Sequence, residues 1–190
     1  MFARISDAVA RLYSRRLLIA LFAGVAFFFW LFNFSTLPLS ASELEKLSDG
    51  EDLLDVRLYY SATDAFRAMD RYGADGRALY LRFLAADVVF LVTYGLAFAL
   101  LFSRFAMILF GPSTPWIKVN LLPLGIALAD CIENLFIFLL LIIYPGHNLL
   151  VGTLAGIATL IKWTLTAFAL AGMLAAIMLL LARRLGFTRR

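Results

Sequence analysis

LLPLGIALADCIENLFIFLLLIIY, residues 121–144, is the stretch whose reading decides the fold. Only Asp130 and Glu133 in it are ionisable, and nearly every other side chain is apolar. An α-helix rises about 1.5 Å per residue and a bilayer's hydrocarbon core is about 30 Å thick, so a run of this length and character is long enough to cross. Its borders agree. Thr114-Pro115 marks a helix start, because the missing proline N–H costs nothing at the first helical position. Trp116 suits the interfacial belt, and Pro145-Gly146-His147-Asn148 makes a tight turn at the far end. A span over 117–144 follows.

Outward from it, three more runs read the same way: 17–37, 82–103 and 149–182. The last is long for one crossing and should tilt or project beyond the bilayer. The first has an apolar stretch longer than the 7–15 residues of a signal-peptide core, and the nearest cleavage-like site is Ser40-Ala41-Ser42; retention as a span is the better reading. Bulk composition supports the bilayer as solvent. The chain of 190 residues is 63% apolar and 16% charged, with mean hydropathy +0.90, against about 45–50% and about 25% in soluble domains. Its net charge of +4 does not point to nucleic acid, because the basic residues flank the apolar runs instead of gathering on a soluble module. One cysteine, Cys131, excludes an internal disulfide, and one histidine, His147, excludes a bis-histidine haem. The expected fold is an all-α membrane protein, an antiparallel bundle of four transmembrane helices forming a single domain over 1–190.

Between the first two runs the composition changes. Nine acids (Glu43, Glu45, Asp49, Glu51, Asp52, Asp55, Asp64, Asp70 and Asp75) face five bases (Lys46, Arg57, Arg67, Arg71 and Arg77). Val56, Leu58 and Tyr60 alternate with more polar neighbours, a short extended signal. Ser61 and Asp64 read as a capping box, starting a helix with Ala62, Ala65, Phe66, Met69 and Tyr72 on one face. Gly73 terminates it and Asp75 caps the second span. This helix is too short and charged to cross, so it should lie on the outer membrane surface or lid the bundle. Ten Lys and Arg (residues 4, 11, 15, 16, 104, 118, 183, 184, 189 and 190) fall on one side of the spans and six on the other. The positive-inside rule therefore puts both termini in the cytoplasm and 38–81 outside.

Ionisable groups inside a span cost at least about 2.5–3.5 kcal/mol each on insertion scales, so each asks for a partner. Asp87, Asp130, Glu133 and Lys162 are such groups, Asp87 in the outer half and the others near mid-depth. Tyr80, Asp87 and Tyr94 recur every seven residues as one stripe. Asp130, Glu133 and Asn134 form one polar face of the third span. Lys162 shares a face with Ala155, Thr159, Thr166 and Ala169, whose small side chains favour close helix approach. Three carboxyls against one ammonium do not balance, so at least one carries a proton or pairs with Arg77 or Arg82. The bland alternative is that these groups simply tie the helices together.

Weaker features have simple readings. Gly152 and Gly156 suit packing within the chain, His147 a solvated turn, and Cys131 a small buried packing position whose thiol is inert. The C-terminal arginines are a stop signal with some affinity for anionic headgroups. The span cores hold no serine, and the chain has no phosphate-binding glycine–lysine loop, HExxH or dinucleotide loop. No catalytic residue, metal ligand set or cofactor is therefore assigned, and the balance leans away from an enzyme.

Gly76-Arg77, Tyr80, Phe83, Asp87 and Tyr94, followed by Asp130, Glu133 and Asn134, resemble the motifs of a group of small four-span bacterial membrane proteins of unknown function, over roughly residues 60–140. The resemblance implies a bacterial plasma-membrane location and no activity. Two functional readings remain, with a variant of the first. The bundle binds a lipid or amphipathic small molecule at Asp87, Tyr94, Asp130, Glu133, Asn134 and Lys162, or couples transport to protons there. Alternatively it is a structural or accessory subunit with a membrane-protein partner.

Overall fold

A computed structural model describes residues 1–48, 50–112 and 114–186. Asp49 and the terminal arginines Arg189 and Arg190 lie outside the described residues. The fold is helical: α1 (Phe2–Arg11), α2 (Arg15–Asn33), α3 (Ala41–Leu47), α4 (Ala62–Arg71), α5 (Gly73–Phe110), α6 (Leu121–Ile143) and α7 (Leu149–Arg184). Two 3-10 turns, Leu54–Val56 and Pro115–Asn120, complete it, and there is no strand among the described residues. Four helices are long and apolar enough to cross a membrane: α2, α5, α6 with its preceding 3-10 turn, and α7.

Local chemistry sets the helix ends. Ser14 accepts from Leu17 N, Ser40 from Glu43 N, and Asn148 from Val151 N, each satisfying a donor that the first turn leaves free. Ser61 and Asp64 form both halves of a capping box at α4, and the hydrogen bonds that the Asp64 carboxyl accepts from the Ser61 hydroxyl and the Ser61 N–H hold it below its usual range. Gly73, at φ +61°, lets the chain turn from α4 straight into α5. Asp75 therefore sits inside the first turn of α5 and does not cap it, and α5 begins well before residue 82. Thr114 caps the 3-10 turn that Pro115 opens, and α6 follows.

α5 packs against α2 on one side and α6 on the other, and α7 packs on α6. Among the described residues α2 and α7 make no extensive contact with each other. The main buried cluster lies where the segment between α2 and α5 covers one end of the long helices, through Leu44, Leu53, Leu54, Phe66, Met69 and Tyr72 against Tyr80, Phe83, Ile137 and Ala155. α7 beyond this cluster leaves Leu170, Leu174, Ile177, Met178 and Leu181 exposed. A stripe of this size on a helix is stable where lipid replaces water.

Several sequence expectations change. The Val56–Tyr60 alternation is a 3-10 turn and irregular chain, because no strand lies beside it to accept an extended ladder. Cys131 is exposed on the outer face of α6 and is not a buried packing residue, since the buried face turns through Glu133, Asn134 and Ile137. His147 stays exposed in its turn but stacks on Phe66 at 4.6 Å. Arg77 donates to Met69 O and lies over the Tyr144 ring, and it makes no ion pair with Asp87, Asp130 or Glu133 among the described residues. Gly152 faces the start of α4 and Gly156 the segment just before it: an added Cβ would meet Ala62 Cβ at 2.8 Å at the first and collide with the Tyr60 carbonyl oxygen at the second. Their smallness serves packing within the chain.

Candidate functional site

The face of α7 that carries Ala155, Thr159, Lys162 and Ala169 is buried, which turns Lys162 toward the acids of α6. Its Nζ lies 2.5 Å from Glu133 Oε2 and 3.4 Å from Asp130 Oδ1. Glu133 is fully buried and also accepts from the Thr159 hydroxyl. Tyr94 OH donates to Asp130 Oδ2 at 2.9 Å, joining α5 to the same carboxylate. Asn134 Nδ2 donates to Asp87 Oδ2 at 2.6 Å, a second α5–α6 tie. The six residues singled out by the sequence thus fall into two polar groups on neighbouring turns of α5 and α6, Asp87 with Asn134 and Tyr94 with Asp130, Lys162 and Glu133. Neither Arg77 nor Arg82 makes an ion pair among the described residues, and the acids are not balanced from that side.

Two partners were not anticipated. Lys162 Nζ donates to the backbone carbonyl of Asp55 at 2.8 Å, from the segment between α2 and α5. Lys162 lies thirteen residues into α7, about 20 Å along the axis. Residues 53–56 therefore reach deep along the long helices. Non-helical backbone is stable at such depth only where protein groups satisfy it. Here Tyr80 OH accepts from Leu54 N at 3.0 Å and Asp55 N at 3.3 Å, and donates to Asp55 Oδ1 at 2.8 Å. Burial pushes the Asp55 carboxyl above the usual aspartate range, against the opposing pull of the Lys162 ammonium and the Tyr80 hydrogen bond. One signal was available: Asp55 alone among the acids of this segment has an aliphatic neighbour on both sides, Leu54 and Val56. Further out, Glu51 joins Arg57 and Arg71. Burial alone would raise its carboxyl, but the two guanidinium hydrogen bonds outweigh burial and hold it below the usual glutamate range.

These polar groups stand in the wall of a cavity of about 390 Å³ between α2, α5, α6 and α7. Asp55, Asp87, Tyr94, Asp130 and Lys162 line its polar part; along α5, Phe83 lines it one turn before Asp87, and Phe98 and Phe102 line it after Tyr94, with Ala169, Leu170 and Met173 continuing the apolar wall on α7. From Lys162 to Met173 the α7 wall runs about 16 Å. The cavity is not sealed: Val56 and Leu170 in its wall are each 51% exposed. Trp163 also lines it and carries a buried indole N–H with no acceptor among the described residues. Glu133 and Asn134 do not line the cavity and act from behind, on Lys162 and Asp87. No three His, Cys, Asp or Glu side chains among the described residues are grouped to hold a metal ion. The arrangement can receive an elongated molecule with one polar end.

No protein-family model, curated protein or solved structure matches the chain.

Proposed function

We propose that the chain is an antiparallel four-span bundle of a bacterial inner membrane, one domain with both termini in the cytoplasm, and that it binds a lipid or other amphipathic small molecule in the cavity. The observation that carries the reading is the joining of a charged, hydrogen-bonded end to an aromatic and aliphatic channel within one unsealed volume. Pockets of about 300–1,000 Å³ with apolar walls and a few placed polar groups are the usual form of small-molecule sites. The gap between α2 and α7 gives access from the bilayer, and segment 38–72, with α4 as an amphipathic lid, closes the outer end. The motif resemblance at Asp87, Tyr94, Asp130, Glu133 and Asn134 supports the bacterial membrane, and the ten basic residues on one side support the orientation.

A second reading, the cluster as architecture in an accessory subunit, is favoured by one fact: Lys162 already meets three acceptors. The two readings part on occupancy. Native mass spectrometry of protein released gently from its own membrane should retain a defined amphiphile, and Leu170→Trp, which fills the tail end without touching the polar end, should lose it. Wild-type protein that emerges empty while still folded contradicts the ligand reading and leaves architecture in its place.

A further inference from the structure

Resting on that reading, we infer that the cavity selects an amphiphile with a protonated amine head on a single apolar tail. The head end is rich in acceptors and short of donors. Lys162 donates to Asp130 Oδ1 and the Asp55 carbonyl and is ion-paired with Glu133 Oε2 at 2.5 Å, so two carboxylates already face its single charge. A phosphate or carboxylate head would have to compete with those carboxylates for it. Tyr94 and Tyr80 likewise spend their hydroxyl protons on Asp130 and Asp55. Asp87, only 5% exposed and lining the cavity, receives one donor, Asn134, on Oδ2; its Oδ1 has none among the described residues, and no cation pairs with it there.

An anionic head would therefore meet carboxylates, with the neutral indole N–H of Trp163 as the unpaired buried donor in the wall and no free cation beside it among the described residues. An ammonium head supplies what is missing: a positive charge near Asp87 and Asp130, and N–H donors for Asp87 Oδ1. The walls agree with the charge, because Phe90, Tyr94 and Trp163 stand around the same end and aromatic faces attract cations. The tail channel, about 16 Å along α7, suits a chain of roughly a dozen carbons.

The test uses the full-length protein in lipid nanodiscs with three probes of equal tail: dodecylamine, dodecanol and dodecyl phosphate. Dodecylamine should bind at least tenfold more tightly than dodecanol after correction for partition into empty nanodiscs, and dodecyl phosphate most weakly. Asp87→Asn, which can keep the Asn134 hydrogen bond, should bring dodecylamine down to the dodecanol level. Equal binding of all three, or preference for the phosphate, overturns the amine head while leaving amphiphile binding intact. Saturable binding of none of them by the wild type overturns both. The wild-type comparison across probes decides the matter even if the variant fails to fold.

Discussion

Lys162 holds three elements through one atom: two carboxylates of α6 and the Asp55 backbone carbonyl all converge on Nζ. Removing one partner of a buried ion pair strands the other charge, at a cost of about 3–5 kcal/mol. Lys162→Met should accordingly lower stability by about that amount, read as a large fall in thermal unfolding temperature in detergent. Lys162→Met combined with Glu133→Gln should recover part of the loss, because the stranded charge is then gone. Unchanged stability of the single variant would mean that the pair does not hold the helices. At Gly156 the constraint is steric. A methyl group there lands on the Tyr60 carbonyl, backbone that has no side chain to swing aside. Gly156→Ala should cost about 1–3 kcal/mol, the usual range for overpacking. Gly125→Ala on α6, with open space around the added carbon, should be neutral or slightly stabilising by helix propensity. Equal effects at the two glycines would contradict the close approach.

Among the elements, the segment between α2 and α5 is held from both ends, by Tyr80 and Lys162 at depth and by the Arg57–Glu51–Arg71 cluster above. The Glu51 carboxyl is depressed in the folded state, so its contribution is full above the ordinary glutamate range and disappears as pH falls through its own lower value. Amide exchange over residues 50–60 should speed up on acidification through that range, and Glu51→Gln should produce the faster exchange already at neutral pH. Exchange that is insensitive to both would show the cluster to be incidental. This segment is also where sequence reading was weakest. The four long helices were legible because a bilayer demands continuous apolar runs, which nothing local can imitate. α1 and α3 were missed for a different reason: Arg4 and Arg11 read as charge flanking a span, and Ser40, the cap of α3, read as part of a cleavage-like site. The early start of α5 was hidden by Asp75, Arg77 and Arg82, whose charges a helix end tolerates as readily as a loop does.

For the molecule as a whole, Asp87, Asp130, Glu133 and Lys162 could be found in advance because ionisable groups inside apolar runs are costly enough to stand out. Asp55 was one acid among many until the fold carried it to Lys162, and the cavity exists only once α2, α5, α6 and α7 stand around it. Orientation is a whole-molecule property too. A reporter fused after the last residue should be active in the cytoplasm, and one inserted at the exposed Leu58 only outside; the reverse pattern would overturn the charge argument. The most direct measurement concerns the cavity. Trp30 and Trp116 are exposed, so replacing both with Phe leaves Trp163, in the cavity wall, as the sole tryptophan, excited selectively over the seven tyrosines at the red edge of its absorption. Titration of this variant in nanodiscs with an amphiphile brominated along its tail should quench Trp163 in a saturable curve, reversed by the unbrominated amphiphile. Quenching that rises linearly with probe and resists competition would be contact with bulk lipid alone, and would contradict a binding cavity.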